Sequence, residues 1–368
     1  MSSTGRTQPA GSRFMSIAVG TRRPLVELVG VSKTFRVRLG SHGHGQLRAV
    51  DDVDLLVEEG ATVGLVGESG SGKSTVARLA LRLVDPTSGR VRLAGTDITD
   101  VKGRELRALR QTMQLVFQDP NSFDPLASIG DSIAEALRTH QDLDRDSRRL
   151  RIEELFNLVG LSRRLTGRNP RELSGGQLQR ASLARALAVG ARFIALDEPV
   201  SSLDASTQAQ VVNLLVQLQR ELGVAYLFIT HDLSLVAHVS SGLAVMYLGR
   251  IVESGPSREI LASPLHPYTR ALLSALPVAD PSRRRTGRIV LTGDIPSPLN
   301  PPSGCRFRTR CPAAMSVCSE VDPAPVTVGT VTVRCHLFDP EPVAASFSSP
   351  IDLNSATDGS VPLTKKEE

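Results

Sequence analysis

One run of nine residues constrains this chain more than any other: Gly67-Glu-Ser-Gly-Ser-Gly-Lys-Ser-Thr75. It fits G-x-x-x-x-G-K-[ST], and it sits between an apolar stretch, Ala61–Val66, and a segment of helical spacing that begins at Lys73 and runs to about Leu83. Strand, glycine-rich turn and helix start form the context in which this motif holds phosphate. Gly67, Gly70 and Gly72 allow backbone N–H groups, Ser69 among them, to turn inward as a cradle. Lys73 reaches the β- and γ-phosphates, the Ser74 hydroxyl beside Thr75 ligates Mg²⁺, and the helix start adds its positive dipole end. The run therefore predicts nucleotide binding.

The rest of the chain supplies a matching scaffold. Val50–Val57 alternates apolar and acidic residues, as a half-buried strand does. Met113–Phe117, Arg192–Leu196 and Val224–Thr230 are further strand-like runs, and Ala205–Leu222 has helical spacing. Strands alternating with helices predict an α/β fold with a largely parallel core sheet. Residues 128–188 have helical character without a strand and predict a helical insertion in the α/β domain. The Pro-rich stretch Ile295–Pro302 marks a boundary near residues 278–302. The expected divisions are a disordered lead-in over 1–24, a main domain over 25–277, a Cys-bearing segment over 278–338 and a disordered tail over 339–368.

Charge and hydropathy exclude several classes. Lys+Arg 43 against Asp+Glu 38 leaves +5, and the basic residues are spread along the chain. The tight basic run is Arg283–Arg285 with Arg288, which suits a solvated loop or a contact with acidic lipid headgroups, and no nucleic-acid partner is expected. No stretch approaches the ~18 uninterrupted apolar residues that cross a bilayer. Arg6 and Arg13 have no apolar segment behind them, so no secretory signal is expected. The expected location is the cytoplasm, with a membrane reached through partners.

Two further anchors carry chemistry. Phe193-Ile-Ala-Leu-Asp-Glu198 is a buried strand ending in two carboxylates. Beside a phosphate loop, Asp197 suits Mg²⁺ and Glu198 suits the general base that polarises an attacking water. Leu173-Ser-Gly-Gly-Gln177 contains S-x-x-Q, a capping box that starts a helix. A capped helix start with Gly175 and Gly176 is also a phosphate site. A chain with one phosphate loop needs no second cradle for the same nucleotide, so Ser174–Gln177 is expected to serve the nucleotide of another subunit.

Gly67–Thr75, Leu173–Gln177, Phe193–Glu198, Ser201-Ser-Leu-Asp204 and Ile229-Thr-His-Asp232, in this order, resemble the ATP-binding subunit of an ATP-binding-cassette (ABC) transporter over about residues 25–338. The resemblance implies a P-loop core with a small antiparallel β part, ATP and Mg²⁺ as cofactors, and two ATPase subunits closing face to face. It implies that Phe35 stacks on adenine where Tyr is more usual; by itself Phe35 also suits an apolar core. It implies that Gln118 contacts Mg²⁺ and water and senses the membrane subunit, that Asp204 communicates across the dimer, and that His231 contacts the γ-phosphate. Taken alone, His231 reads as a surface histidine.

Leu265-His-Pro-Tyr-Thr-Arg270, Gly293-Asp-Ile-Pro-Ser-Pro298 and Gly304-Cys-Arg-Phe-Arg-Thr-Arg-Cys-Pro312 resemble the C-terminal region of oligopeptide and dipeptide importer ATPases, which nickel importers share. Phe123-Asp124 departs from that group, where Ser-Leu-Asn is more usual. The implied function is ATP hydrolysis powering peptide import, with two permease subunits and an extracytoplasmic peptide-binding protein. Alternatives are a nickel importer or a cassette ATPase acting on DNA or ribosomes.

Cys305, Cys311, Cys318 and Cys335 are the chain's 4 cysteines, clustered late in the sequence. Their spacing departs from the usual zinc and ferredoxin patterns. Iron–sulfur, zinc and free structural thiols all stay open from spacing alone; the importer resemblance implies a [4Fe–4S] cluster.

Overall fold

Phe193 to Asp197 is buried at every position, and so are Thr62–Val66 and Ala225–Thr230. Strands apolar on both faces need cover on both faces, which a parallel sheet between two layers provides. The computed structural model describes residues 22–38, 43–117, 123–276 and 289–339. Within them β3 (Thr62–Val66), β6 (Met113–Val116), β7 (Phe193–Asp197), β8 (Ala225–Thr230) and β9 (Gly242–Tyr247) run parallel in the order β9-β3-β8-β7-β6. The sheet continues antiparallel through β10 (Arg250–Pro256), β12 (Val331–Val333) and β11 (Val326–Val328).

A second, antiparallel sheet has the order β2-β1-β4-β5, built from β1 (Pro24–Arg38), β2 (His44–Glu58), β4 (Ser88–Leu93) and β5 (Thr96–Asp97). β1 begins at Pro24, inside the span expected to be a lead-in; residues 1–21 lie outside the described residues. So do Arg283–Arg285, Arg288, and the tail from 340 onward.

The period of two divides the parallel strands between two apolar clusters. Val63, Leu65, Ala195, Leu227, Ile229 and Met246 pack with β1, β2 and α1 (Lys73–Ala80). Their sequence neighbours Ile194, Leu196, Tyr226, Phe228 and Val245 pack with the helical region. That region holds α3 (Ile129–His140), α4 (Arg145–Leu158) and α5 (Gly175–Ala188), and no strand lies within 128–188. Ser128, Asp144 and Ser174 cap the three helix starts, accepting from Asp131, Ser147 and Gln177 N–H groups. α6 (Ala205–Leu222) matches its predicted limits. Val211, Leu214, Leu215 and Leu218 form its buried stripe, and Gly223 ends it at φ 66°.

α1 stops at Ala80, short of Leu83, because Arg82 turns left-handed (φ 52°) and buries its guanidinium. Its Nε donates to the Ile98 carbonyl at 2.9 Å and its Nη1 to Asp85 at 2.6 Å. The other helices are α2 (Gly103–Gln111), α7 (Leu233–Val239), α8 (Ser257–Ala262), α9 (Pro267–Ser274) and α10 (Val317–Glu320). The described residues up to Phe338 form one compact unit. No described helix is long and apolar enough to cross a membrane.

Candidate nucleotide site

β3, β8 and β7 are adjacent and in register, Val66 against Thr230 and Asp197 against Ile229. Their C-terminal ends therefore deliver three loops to one edge, where open α/β sheets bind ligands. Gly67 follows β3, Glu198 follows β7 and His231 follows β8. A cavity of about 850 Å³ opens there, lined by Glu68–Gly70, Gly72–Thr75, Glu198 and His231. From other elements Leu47, Arg48, Ala49, Gly249 and Pro298 also line it.

The loop's shape depends on close approach. Gly72 takes φ 107°, and a Cβ there would lie 2.3 Å from the Ala49 carbonyl oxygen. Lys73 is buried; its Nζ donates to the carbonyls of Gly67 at 2.8 Å and Glu68 at 2.9 Å. Burial pushes the Lys73 ammonium below its ordinary range, against the pull of Glu198, Asp197 and Glu68. Ser74 Oγ donates to Asp197 Oδ1 at 3.0 Å. Burial pushes the Asp197 carboxyl up, opposed by that hydrogen bond and reinforced by Glu198. A hydroxyl and a carboxylate side by side form a hard-oxygen pair, the donor set Mg²⁺ uses beside substrate phosphates.

Glu198 has φ 48°, an uncommon backbone for a residue other than glycine, fixed by its N–H donating to the Ile229 carbonyl at 3.0 Å. Glu198 Oε2 lies 3.4 Å from His231 Nδ1. The structure thus gathers Lys73, Ser74, Asp197, Glu198 and His231. Gln118 lies outside the described residues. Phe35 pairs with Leu47 across β1 and β2; Leu47 lines the cavity, whereas the Phe35 ring carries Lys33 Nζ at 5.1 Å from its centroid.

The Ser174 turn is built differently. Gln177 N–H donates to Ser174 Oγ at 3.3 Å and Ser174 N–H to Gln177 Oε1 at 3.0 Å, a closed capping box. A Cβ on Gly176 would meet Thr207 Cγ2 at 2.4 Å, so this glycine lets α5 approach α6. None of residues 173–177 lines the cavity. Asp204 caps α6, accepting from the N–H groups of Ser206 and Thr207 at 3.0 Å, and the Ser206 hydroxyl first, then the N–H and hydroxyl of Thr207, hold its carboxyl well below the usual range.

The cysteines correct the metal expectation. Among the described residues no group of three or more His, Cys, Asp or Glu side chains could hold a metal ion, and all four cysteines are free thiols. Burial pushes Cys305 up, Cys311 to about 11 and Cys335 to about 12. Cys318 and Cys335 are buried, and Cys305 and Cys311 pack against the core, as small apolar side chains do. The iron–sulfur reading is overturned, and zinc with it.

Sequence reading missed the ties that Arg250 of β10 and two arginines of the C-terminal segment make to β2. Arg306 bonds Asp51 and the Leu248 carbonyl, Arg250 Nη2 reaches Asp51 at 2.8 Å, and Arg334 reaches Asp52 at 2.8 Å. Arg306 lies within Gly304–Pro312, but nothing local to it signals its acid partner.

A phosphate loop, a strand-end acid pair and a flanking histidine at one sheet edge define a P-loop ATPase site. A family profile described as ABC transporter matches residues 50–201, and one described as oligopeptide/dipeptide transporter, C-terminal region, matches residues 252–318. The chain is 46% identical over 333 residues to the oligopeptide transport ATP-binding protein OppF of Salmonella typhimurium, covering 89% of this chain and 100% of that protein. It is 49% identical over 311 residues to a probable peptide ABC transporter ATP-binding protein of Sinorhizobium fredii, covering 84% and 87%. Among solved structures it is similar to the dimeric ATP-binding cassette MJ0796 bound to ADP and Pi, with TM-score 0.57 and 30% identity over 64% of this chain and 99% of that one. The chain belongs to the ABC transporter ATP-binding proteins, in the group that carries the oligopeptide/dipeptide C-terminal region. It is an ABC-type ATPase.

Proposed function

We propose that this chain hydrolyses ATP to power the uptake of oligopeptides or dipeptides through a membrane ABC importer, at the cytoplasmic face of the membrane. The observation that carries this reading is the likeness to OppF over that protein's whole length, C-terminal region included. Nickel transport and work on DNA or ribosomes have no comparable support. The partners in this reading are a second ATPase subunit, two permease subunits and an extracytoplasmic peptide-binding protein.

In the same reading Gly67–Thr75 cradles the triphosphate, and Ser74 and Asp197 hold Mg²⁺, which supplies charge neutralisation when bound. Glu198 accepts the proton of the attacking water, and His231 orients the γ-phosphate end. Gln118 contacts the metal and the membrane subunit, Phe35 stacks on adenine, and Asp204 signals across the dimer. Ser174, Gly175, Gly176 and Gln177 close on the nucleotide held by the second ATPase subunit. The support for sharing is that the cavity lined by Lys73, Ser74, Thr75, Glu198 and His231 is lined by none of these four. ATP binding then favours the closed pair, hydrolysis releases it, and the permeases follow.

Vesicles carrying the assembled importer, with ATP inside and labelled peptide outside, test the proposal. The expected result is peptide accumulation that Lys73→Ala abolishes. Accumulation that is equal with and without a functional Lys73 refutes it.

A further inference from the structure

Glu68 is the second residue of the phosphate loop, and it lines the cavity with Lys73, Ser74 and Thr75. A carboxylate at that place opposes the entry of a polyanion. Arg310 answers it with both prongs: Nη1 donates to Oε2 at 2.7 Å and Nη2 to Oε1 at 3.0 Å. The Arg310 side chain is 8% exposed and that of Glu68 24%, so solvent screens this pair weakly. The loop's backbone is tied as well. Glu68 N–H donates to Tyr268 Oη at 2.9 Å.

Both partners come from far along the chain, and both are held by packing. Tyr268 is buried in α9, whose start is capped by His266 Nδ1 accepting from Tyr268 N–H at 3.0 Å. Phe307, three residues before Arg310, packs its ring 5.4 Å from Tyr268, 5.2 Å from Tyr247 and 5.6 Å from His266. The aromatic cluster thus fixes the distance between the His-Pro-Tyr turn and the Arg310 turn. Glu68 lies between them.

We propose that Arg310 and Tyr268 are positioning residues of the nucleotide site: the C-terminal segment masks the charge of Glu68 and sets the first peptides of the phosphate loop, so that the loop accepts a triphosphate. The proposal rests on the nucleotide-site reading above. It gives the C-terminal region a direct part in ATP affinity, beyond its place in the family. An ion pair that merely stapled the fold would, on loss of Arg310, lower thermal stability and kcat together and leave the ATP affinity of the folded chain unchanged.

The test uses the full chain, equilibrium binding of a fluorescent ATP analogue, and KM and kcat for ATP in the assembled importer. Arg310→Gln should weaken binding and raise KM about fivefold to twentyfold with kcat within about twofold, and the defect should shrink as salt rises. Adding Glu68→Gln should recover most of the loss, and Arg310→Lys should keep much of the affinity. Tyr268→Phe should show a smaller rise in KM. Unchanged binding in Arg310→Gln, or a loss that Glu68→Gln fails to recover, overturns the proposal. Should Arg310→Gln not fold, Glu68→Gln alone decides: with Arg310 unopposed it should bind the analogue about two- to threefold more tightly, and equal or weaker binding overturns the idea. Lys73→Ala separates the two levels. Loss of binding there with a flat Arg310 series sinks this inference alone; equal binding by wild type and Lys73→Ala sinks the site reading with it.

Discussion

The chain contains two glycine-rich helix starts, and they differ in what surrounds them. At Gly67–Thr75 the glycines leave a cavity open above the helix start, with a buried lysine on its floor. At Ser174–Gln177 the turn caps itself, Gly176 is used for packing against α6, and the turn borders no part of that cavity. Similar local chemistry therefore yields a complete cradle in one place and a half-built one in the other. A helix start binds an anion only where its free N–H groups face a space an anion can occupy. In the proposed function the second start gains that space from the second ATPase subunit.

The contrast can be broken by substitution. The largest effect is expected for Glu198→Gln, which should lower kcat of the assembled importer by about 10²–10⁴ while nucleotide still binds. Steady-state phosphate release checks it, and near-normal turnover would remove Glu198 from the role of base. Next come the two helix starts themselves. Lys73→Ala should weaken nucleotide binding by the isolated chain roughly 10- to 100-fold, the value of a buried charge-assisted contact. Ser174→Arg should leave that binding unchanged and abolish hydrolysis only in the assembled complex. If Ser174→Arg weakened binding by the isolated chain as much as Lys73→Ala does, the two starts would serve one nucleotide and the contrast would be gone.

A smaller effect sharpens the packing side of the comparison. Gly176→Ala puts a methyl where Thr207 stands, and overpacking of that kind destabilises by about 1–3 kcal/mol. Thermal melting should show the drop, whereas Gly70→Ala, with no atom near its absent Cβ but φ 77°, should pay only backbone strain. The smallest effect concerns acid. Burial alone would raise the Asp51 carboxyl, but its hydrogen bond to Arg250 and the charges of Arg306, Arg250 and Arg48 outweigh that and hold it below its ordinary 3.8. Because the folded value is the lower one, the stabilisation is present above about pH 4 and fades as pH falls through the folded value. The melting difference between wild type and Asp51→Asn should accordingly be largest near neutrality and close below pH 4; a constant difference would discharge Asp51 from this role.

Local pattern made much of the fold legible. Short continuous apolar runs located β3, β7 and β8 to within a residue or so, and helical spacing bounded α6. The errors have physical causes as well. α1 stops early because Arg82 finds partners at Ile98 and Asp85, which no helical period reveals. The cysteines read as a metal cluster because they are close in sequence, yet among the described residues no group of three or more ligating side chains is placed to hold a metal ion. Asp204 was expected to act across an interface, and its carboxylate also has a local task as the cap of α6.

The sequence by itself determined the phosphate loop, the strand-end acid pair, their order along the chain and the faces that must be buried. These depend on short-range spacing, in which a residue's neighbours are its neighbours in sequence. Only the tertiary structure decided that Glu68 meets Arg310 and Tyr268, 242 and 200 residues away, and that Ser174 stands apart from the cavity. Such pairings depend on how layers stack and loops close, and one chain's residue pattern carries no record of which distant charge will face which.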